Sequence, residues 1–303
     1  MACVAITWSF YLCLLFSLLI CLANHIAVAQ PEYVSSFCPD AETVAPNSQY
    51  QTNVDTLISF LLSNTTTWKI SYDATAGNGA NQVYGAYFCR IDQTSVFCQD
   101  CISSAINSLN EHCRGKRKSI AYYDQCLARY SDESFYGTMT GAPMIPYWNT
   151  RISVDIQNIT SNHTAFMQVL QGVLRVVSSE AANGTNQKFA TKEDTFVGNS
   201  TSMNTIYTLA QCNPYISASD CNTCLQMAIG NMTEMCSMRA GCTVMCPDCN
   251  IRSVERRKTS VNAKNSINCG DFHFSCCDSY WGLCFCVEEK VQESIYSSCN
   301  RSR

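Results

Sequence analysis

Five cysteines recur in a fixed register, and that recurrence limits what this chain can fold into more than any other feature. Cys89, Cys98, Cys101, Cys113 and Cys126 reappear 123 residues later as Cys212, Cys221, Cys224, Cys236 and Cys249. Tyr84, Ala105 and Ile106 return at the same offset as Tyr207, Ala228 and Ile229. One offset shared by so many positions is the mark of a tandem duplication, each copy a unit of roughly 100 residues.

The N-terminus reads as an export signal. Ile6 to about Ala23 is apolar, and Ala27-Val28-Ala29 sets small residues where a signal peptidase cuts, leaving Gln30 as the new terminus. The competing reading is an N-terminal membrane anchor, against which no basic stop follows. Cleavage removes Cys3, Cys13 and Cys21 from the 22 cysteines and leaves an odd number. Such density on the secretory route means disulfides, because the lumen is oxidising, and the odd count leaves at least one thiol outside an internal pair. Six sequons in the body of the chain, at Asn64, Asn158, Asn162, Asn183, Asn199 and Asn231, agree with export. A net charge of −4 gives no nucleic-acid footprint. Beyond the signal no apolar run is long enough to span a bilayer.

Each copy reads as α+β. Val54, Leu57, Ile58 and Leu61 fall on one helical face between Asn53 and Leu62, and Phe166, Val169, Leu170 and Val173 repeat that pattern in the second copy. After Cys98, the positions Cys101, Ala105 and Leu109, with Ile102 and Ile106 beside them, form a second buried stripe. The runs "QVYGAYF" and "SIAYYDQCLARYS" are rich in aromatic and β-branched residues and read as strands. Gly141, Pro143 and Pro146 mark a linker.

The doubled Cys-x8-Cys-x2-Cys motif, each copy preceded by a Tyr-containing strand and followed by "CLARYSDESF" or a truncated "CNIR", closely resembles the plant cysteine-rich domain of ginkbilobin homology. Such domains pair in secreted cysteine-rich repeat proteins, in plasmodesmata-located proteins and in ectodomains of cysteine-rich receptor-like kinases. The resemblance covers roughly Pro31 to Arg252. It implies two helices packed on an antiparallel sheet of about five strands in each domain. It also implies the disulfides Cys38–Cys113, Cys89–Cys98 and Cys101–Cys126, with Cys212–Cys221 and Cys224–Cys249 in copy two. Cys236 lacks its family partner, and Cys242 or Cys246 is the substitute. The antifungal member of the family binds mannose through an Asn, an Arg and a Glu. Here those positions are Pro39, Ile120 and Ser131, with Thr243 and Val254 at the last two in copy two, so the mannose site does not carry over.

Other chemistry competes with plain structure at several positions. Cys242-x3-Cys246-x2-Cys249 has the spacing of an iron–sulfur or zinc motif, but these need reduced thiolates, and the repeat register gives Cys249 to a disulfide. The Cys98/Cys101 and Cys221/Cys224 pairs resemble redox motifs, yet a thioredoxin-type site bonds one such pair internally, and the resemblance sends the two to different partners. Past the signal only His112, His163 and His273 remain, and no local spacing suggests a catalytic triad. Tyr84, Tyr87, Tyr122, Tyr123 and Tyr130 read as strand-face packing, with an aromatic sugar platform as the alternative. No cofactor or metal is implied.

The tail departs from the repeat. From Asn268 to Cys286 it is dominated by residues whose codons end in a pyrimidine; a one-base shift makes those positions uncharged, while Glu288, Glu289, Lys290 and Gln292 all become basic. An apolar span with a basic stop, read out of frame, accounts for this run, and a genuine cysteine-rich tail is the alternative. Asn268 to Lys290 is expected to be disordered. The expected organisation is a signal at 1–29, domains at 31–140 and 156–252 joined by a linker at 141–155, and an aberrant tail at 253–303. The function this implies is a non-catalytic extracellular recognition module of the receptor-kinase ectodomain type, binding an apoplastic ligand or a partner ectodomain in stress or immune signalling. A parent form would reside in the plasma membrane. A secreted mannose lectin and an extracellular thiol oxidoreductase are the alternatives.

Overall fold

The computed structural model describes residues 30–39, 43–67, 69–148, 160–184, 187–197, 203–236 and 239–257. The signal segment, Asn158, Asn199 and the run Asn268 to Lys290 lie outside these residues. The first repeat runs β1 (Tyr33–Phe37), α1 (Gln49–Ser63), β2 (Ser71–Ala76), β3 (Val83–Cys89), α2 (Ser95–His112), β4 (Ser119–Tyr123) and β5 (Cys126–Ser131). The second runs β6 (Ile145–Trp148), α3 (Thr160–Ala182), β7 (Phe189–Val197), β8 (Met203–Cys212), α4 (Ala218–Met235), β9 (Gly241–Met245) and β10 (Cys249–Arg257). Each repeat is thus two helices and a five-stranded antiparallel sheet. The sheet orders, β1-β4-β5-β3-β2 and β6-β9-β10-β8-β7, are the same topology twice.

Local chemistry sets the helix starts. Ser48, Thr94 and Ser217 each accept a backbone N–H three residues on, at Gln51, Phe97 and Asp220, which satisfies one orphan donor of the first turn. The apolar stripes then face the sheets. In the first repeat Leu57, Leu61, Ile102, Ile106 and Leu109 pack on Tyr87, Ala121 and Ala128. In the second, Leu174, Val177, Leu225 and Met232 pack on Ile206, Val244 and Ile251. Burying each such side chain contributes about 1.5–3 kcal/mol. Gly85 lets α1 approach β3, since a Cβ there would meet a Leu57 methyl at 2.6 Å.

The disulfides tie helix to sheet. Cys89 pairs with Cys126 across β3 and β5, and the helix turn carrying Cys98 and Cys101 lies over them, giving Cys89–Cys98 and Cys101–Cys126. The second repeat repeats this with Cys212–Cys221 and Cys224–Cys249. Cys38–Cys113 joins the end of β1 to the end of α2. Its counterpart differs: Cys236 at the end of α4 bonds Cys242 at the start of β9. Among the described residues Cys246 alone is a free cysteine, and it is buried.

Two boundaries differ from the sequence reading. β10 continues through Arg257, five residues past Arg252, paired with β8 down to Arg257↔Asn204 and with β9 down to Val254↔Gly241. The stretch read as linker contains β6, which pairs with β9 from Ile145↔Met245 to Trp148↔Cys242 and forms the edge of the second sheet. Of the tyrosines considered as a platform, Tyr87, Tyr122, Tyr123 and Tyr130 are buried.

The two sheets meet through the faces that carry no helices. Alternation along β3, β4 and β5 sends Phe88, Ile120, Tyr122 and Leu127 away from α1 and α2, and they pack with Met245, Ile145 and Tyr147 of the second repeat. The helices therefore lie on the outside and the sheets at the centre.

Candidate ligand cleft between the repeats

Polar groups lock the interface around this apolar patch. Arg129, three residues after the last first-repeat cysteine, donates to Asp248 Oδ1 in the β9–β10 turn at 2.6 Å. Both side chains are almost wholly buried, 4 % and 0 % exposed. Asp248 also accepts from Thr140 N at 2.8 Å, so its carboxylate is held from several sides. Arg252, three residues after the last second-repeat cysteine, donates to both oxygens of Asp124 in the β4–β5 turn, at 2.8 and 2.7 Å. Each repeat thus sends the equivalent arginine to an aspartate in the turn of the other. Arg90 joins the second pair: it donates to Asp124 and, through two 2.9 Å bonds, to Asp92. Burial would raise the Asp92 carboxyl, but the Arg90 charge and hydrogen bonds outweigh it and hold Asp92 below the usual range. Gln211 adds a backbone clasp, accepting from Ile91 N and donating to Cys89 O.

At one end of this interface a cleft of about 290 Å³ opens between the repeats. Its first-repeat wall is Tyr72 and Asp73 of β2 with Phe135 and Tyr136 of the segment after β5, and its second-repeat wall is Asn213 and Tyr215 after β8. Tyr136 fastens the post-β5 segment: its hydroxyl donates to Ala74 O at 2.6 Å and accepts from Gly85 N at 3.2 Å. Arg129 lies at the base with its guanidinium 3.8 Å from the Phe135 ring centre. Asn213 Oδ1 accepts from Tyr215 N, and Asn213 N donates to Asp248 O, so the interface lock also shapes the cleft. Burial, and then the neighbouring Tyr72 and Tyr215, push the Tyr87 phenol, on the helix side of β3, up to about 12. Tyr215 projects into solvent at 56 % exposure. Asp73 sits opposite Ala86 on the sheet face that looks into the cleft, and its carboxylate makes no hydrogen bond or ion pair among the described residues.

The residues singled out from the sequence lie elsewhere. Of the family's mannose positions, Ile120 is packed in the inter-repeat patch, Ser131 accepts from Glu133 N, and Thr243 is buried in β9. Cys98 and Cys101 bond separate partners, as do Cys221 and Cys224. Cys246 Sγ lies within 4.8 Å of the Cys224 and Cys249 sulfurs, but those two share a disulfide. Among the sequons, Asn64 caps α1, Asn183 is exposed beyond α3, and Asn231 lies inside α4 with its Oδ1 buried. The arginines of "CLARYSDESF" and "CNIR", Arg129 and Arg252, recur at the 123-residue offset, and that repetition is the one sequence signal that marks them.

Fold, disulfides and reciprocal arginines together define a tandem cysteine-rich α+β module. The family model described as salt stress response/antifungal matches residues 37–133 and 153–256, and the chain belongs to that family. Its second match ends one residue short of the end of β10. Cysteine-rich receptor-like protein kinase 25 of Arabidopsis thaliana is 34 % identical over 242 residues, which is 78 % of this chain and 34 % of the kinase. The chain therefore spans about a third of that relative's length. Cysteine-rich repeat secretory protein 9 of the same plant is 26 % identical, over 76 % of this chain and 69 % of that protein. The tandem DUF26 ectodomain of the Arabidopsis thaliana cysteine-rich receptor-like protein PDLP8 superposes with a TM-score of 0.60 at 20 % identity, covering 74 % of this chain and 98 % of that one. No helix among the described residues is long and apolar enough to cross a membrane.

Proposed function

We propose that this chain is a non-catalytic extracellular recognition module, acting as a receptor-kinase-type ectodomain or a secreted relative that binds an apoplastic ligand or a partner ectodomain. The observation that carries this reading is the cleft between the repeats. Its walls come from both copies, it presents an exposed tyrosine and an unpaired carboxylate, and the buried Arg129–Asp248 pair stiffens its base. Rigid walls lower the ordering cost of binding, which is what a recognition site needs. The disulfides, the sequons and the N-terminal apolar segment support an extracellular setting, as do relatives that are secreted proteins or receptor-like kinases.

The test passes apoplastic wash fluid over the immobilised secreted chain and over its Asp73→Asn/Tyr215→Ala form. A component retained by the first and lost by the second is the expected result. Equal retention by both would remove the cleft from the function.

A further inference from the structure

The cleft's polar groups are unequal in what they leave free. Arg129 is committed to Asp248, Tyr136 Oη to Ala74 O and Gly85, Tyr87 Oη to Asn64 O, and the Asn213 side chain to Asp248 and Tyr215 N. What remains is one carboxylate, Asp73, with the Ser71 hydroxyl on the same strand face and the exposed phenol of Tyr215. A neutral polyol would leave the Asp73 charge without a counter-ion in a partly enclosed site. A carboxylate near an exposed aromatic ring instead favours a cation, which gains the ion pair and the Tyr215 ring face. Tyr72 takes no part, since it packs on the helix-side core beside Tyr87 with Lys69 Nζ 5.0 Å from its ring centre. The resident guanidinium of Arg129 does not satisfy Asp73, because Asp248 takes its donors.

We propose that this cleft receives a basic side chain, arginine or lysine, of a peptide or protein partner, with Asp73 as counter-ion and Tyr215 as wall. The proposal rests on the recognition reading above and names the chemistry of its ligand. A cavity of about 290 Å³ is at the lower limit of ligand pockets, ~300 Å³, and so suits one side chain rather than a folded epitope. The rest of the partner would lie across the rim, where Tyr215 is exposed. Arginine matches the site better than lysine, since its planar group can stack on Tyr215 while its edge meets Asp73 in a bidentate pair.

The test is a calorimetric titration of the full secreted chain with N-acetyl-arginine methylamide, its lysine analogue, the neutral citrulline isostere, a free diamine and methyl α-mannoside. The expected result is binding of the arginine probe at millimolar or lower concentration, with the citrulline probe at least ten-fold weaker, about 1.4 kcal/mol. Asp73→Asn should weaken the arginine probe by the same factor, and Tyr215→Ala should weaken it independently. Tyr215 is exposed and Asp73 is half-buried at the cleft, so an unchanged unfolding midpoint is required to verify that each variant is folded. The proposal is overturned if the arginine probe fails to bind, if citrulline binds equally, or if Asp73→Asn has no effect. A free diamine binding more tightly than either peptide probe overturns the peptide assignment. Mannoside binding lost in Tyr215→Ala would refute the cation while leaving a recognition cleft. Recognition itself falls only if nothing retained by the chain depends on the cleft.

Discussion

Cys246 shows how one substitution in a repeat changes local chemistry. Its register partner in the first copy is Tyr123, whose hydroxyl meets Ser108 Oγ at 2.9 Å. The second copy has Cys246 and Asn231 at these two positions, and the thiol lies buried beside the Cys224–Cys249 bridge. Burial, and then the Asp248 charge, push the thiol up to about 12. The neutral form is therefore favoured by folding, and Cys246 should be inert in the native state. Peptide mapping after alkylation at pH 8 should find Cys246 labelled only when denaturant is present; native labelling would contradict its burial. The sign of the linkage follows from a folded value above the unfolded one. The stabilising share is fully present below an unfolded thiol value of about 8.5 and is lost as pH rises toward 12. Cys246→Ala should accordingly flatten the alkaline decline of the urea midpoint between pH 8 and pH 10.5, about the lower half of that window. Identical slopes for parent and variant would refute it.

At the scale of elements, the helices were legible and the edges of the second copy were not. Helical stripes such as Val54, Leu57 and Leu61 declare themselves through local spacing, and the cysteine register places α2 and α4 on their sheets. The end of β10 is different. In Ser253-Val254-Glu255-Arg256-Arg257 the helix-side positions Ser253 and Glu255 are polar yet buried, so alternation no longer separates inside from outside. β6 was hidden by the proline within it, which reads as linker but is tolerated on an edge strand. The cleft was illegible for another reason: its walls come from β2, the segment after β5 and the loop after β8, which no local spacing connects. The disulfides make a graded prediction here. Chain-entropy reasoning gives the Cys38–Cys113 bridge, separated by 75 residues, about 4 kcal/mol, and the Cys236–Cys242 bridge, separated by 6, about 2 kcal/mol. Replacing each pair with alanines and measuring urea midpoints should reproduce that order. A larger loss for the short bridge would mean that Cys236–Cys242 acts on the folded state instead.

For the whole molecule the question is whether two repeats behave as one body. The apolar patch from Phe88 to Met245 joins the sheets, but it is small, and four charged side chains surround it in reciprocal pairs. Burying charges is costly, so such a pair stabilises little over a well-packed apolar substitute, whereas removing one partner strands the other. Arg129→Ala would leave Asp248 buried with only Thr140 N and the Asn213 amide as donors. The expected loss is about 3–5 kcal/mol. Arg252→Ala should cost less, because Asp124 keeps Arg90 and Gln125 and lies nearer solvent. Arg129→Met with Asp248→Leu should recover part of what Arg129→Ala loses, since no charge is then left unpaired. Hydrogen exchange on the parent decides how far the lock couples the repeats. If the arginines join them into one cooperative unit, the core amides of β3 and β8 open with the same free energy, and Arg129→Ala lowers both together. If β3 and β8 instead respond separately, the repeats are independently stable, and the reciprocal pairs serve to hold Asn213 and Tyr215 against Phe135 at the mouth of the cleft.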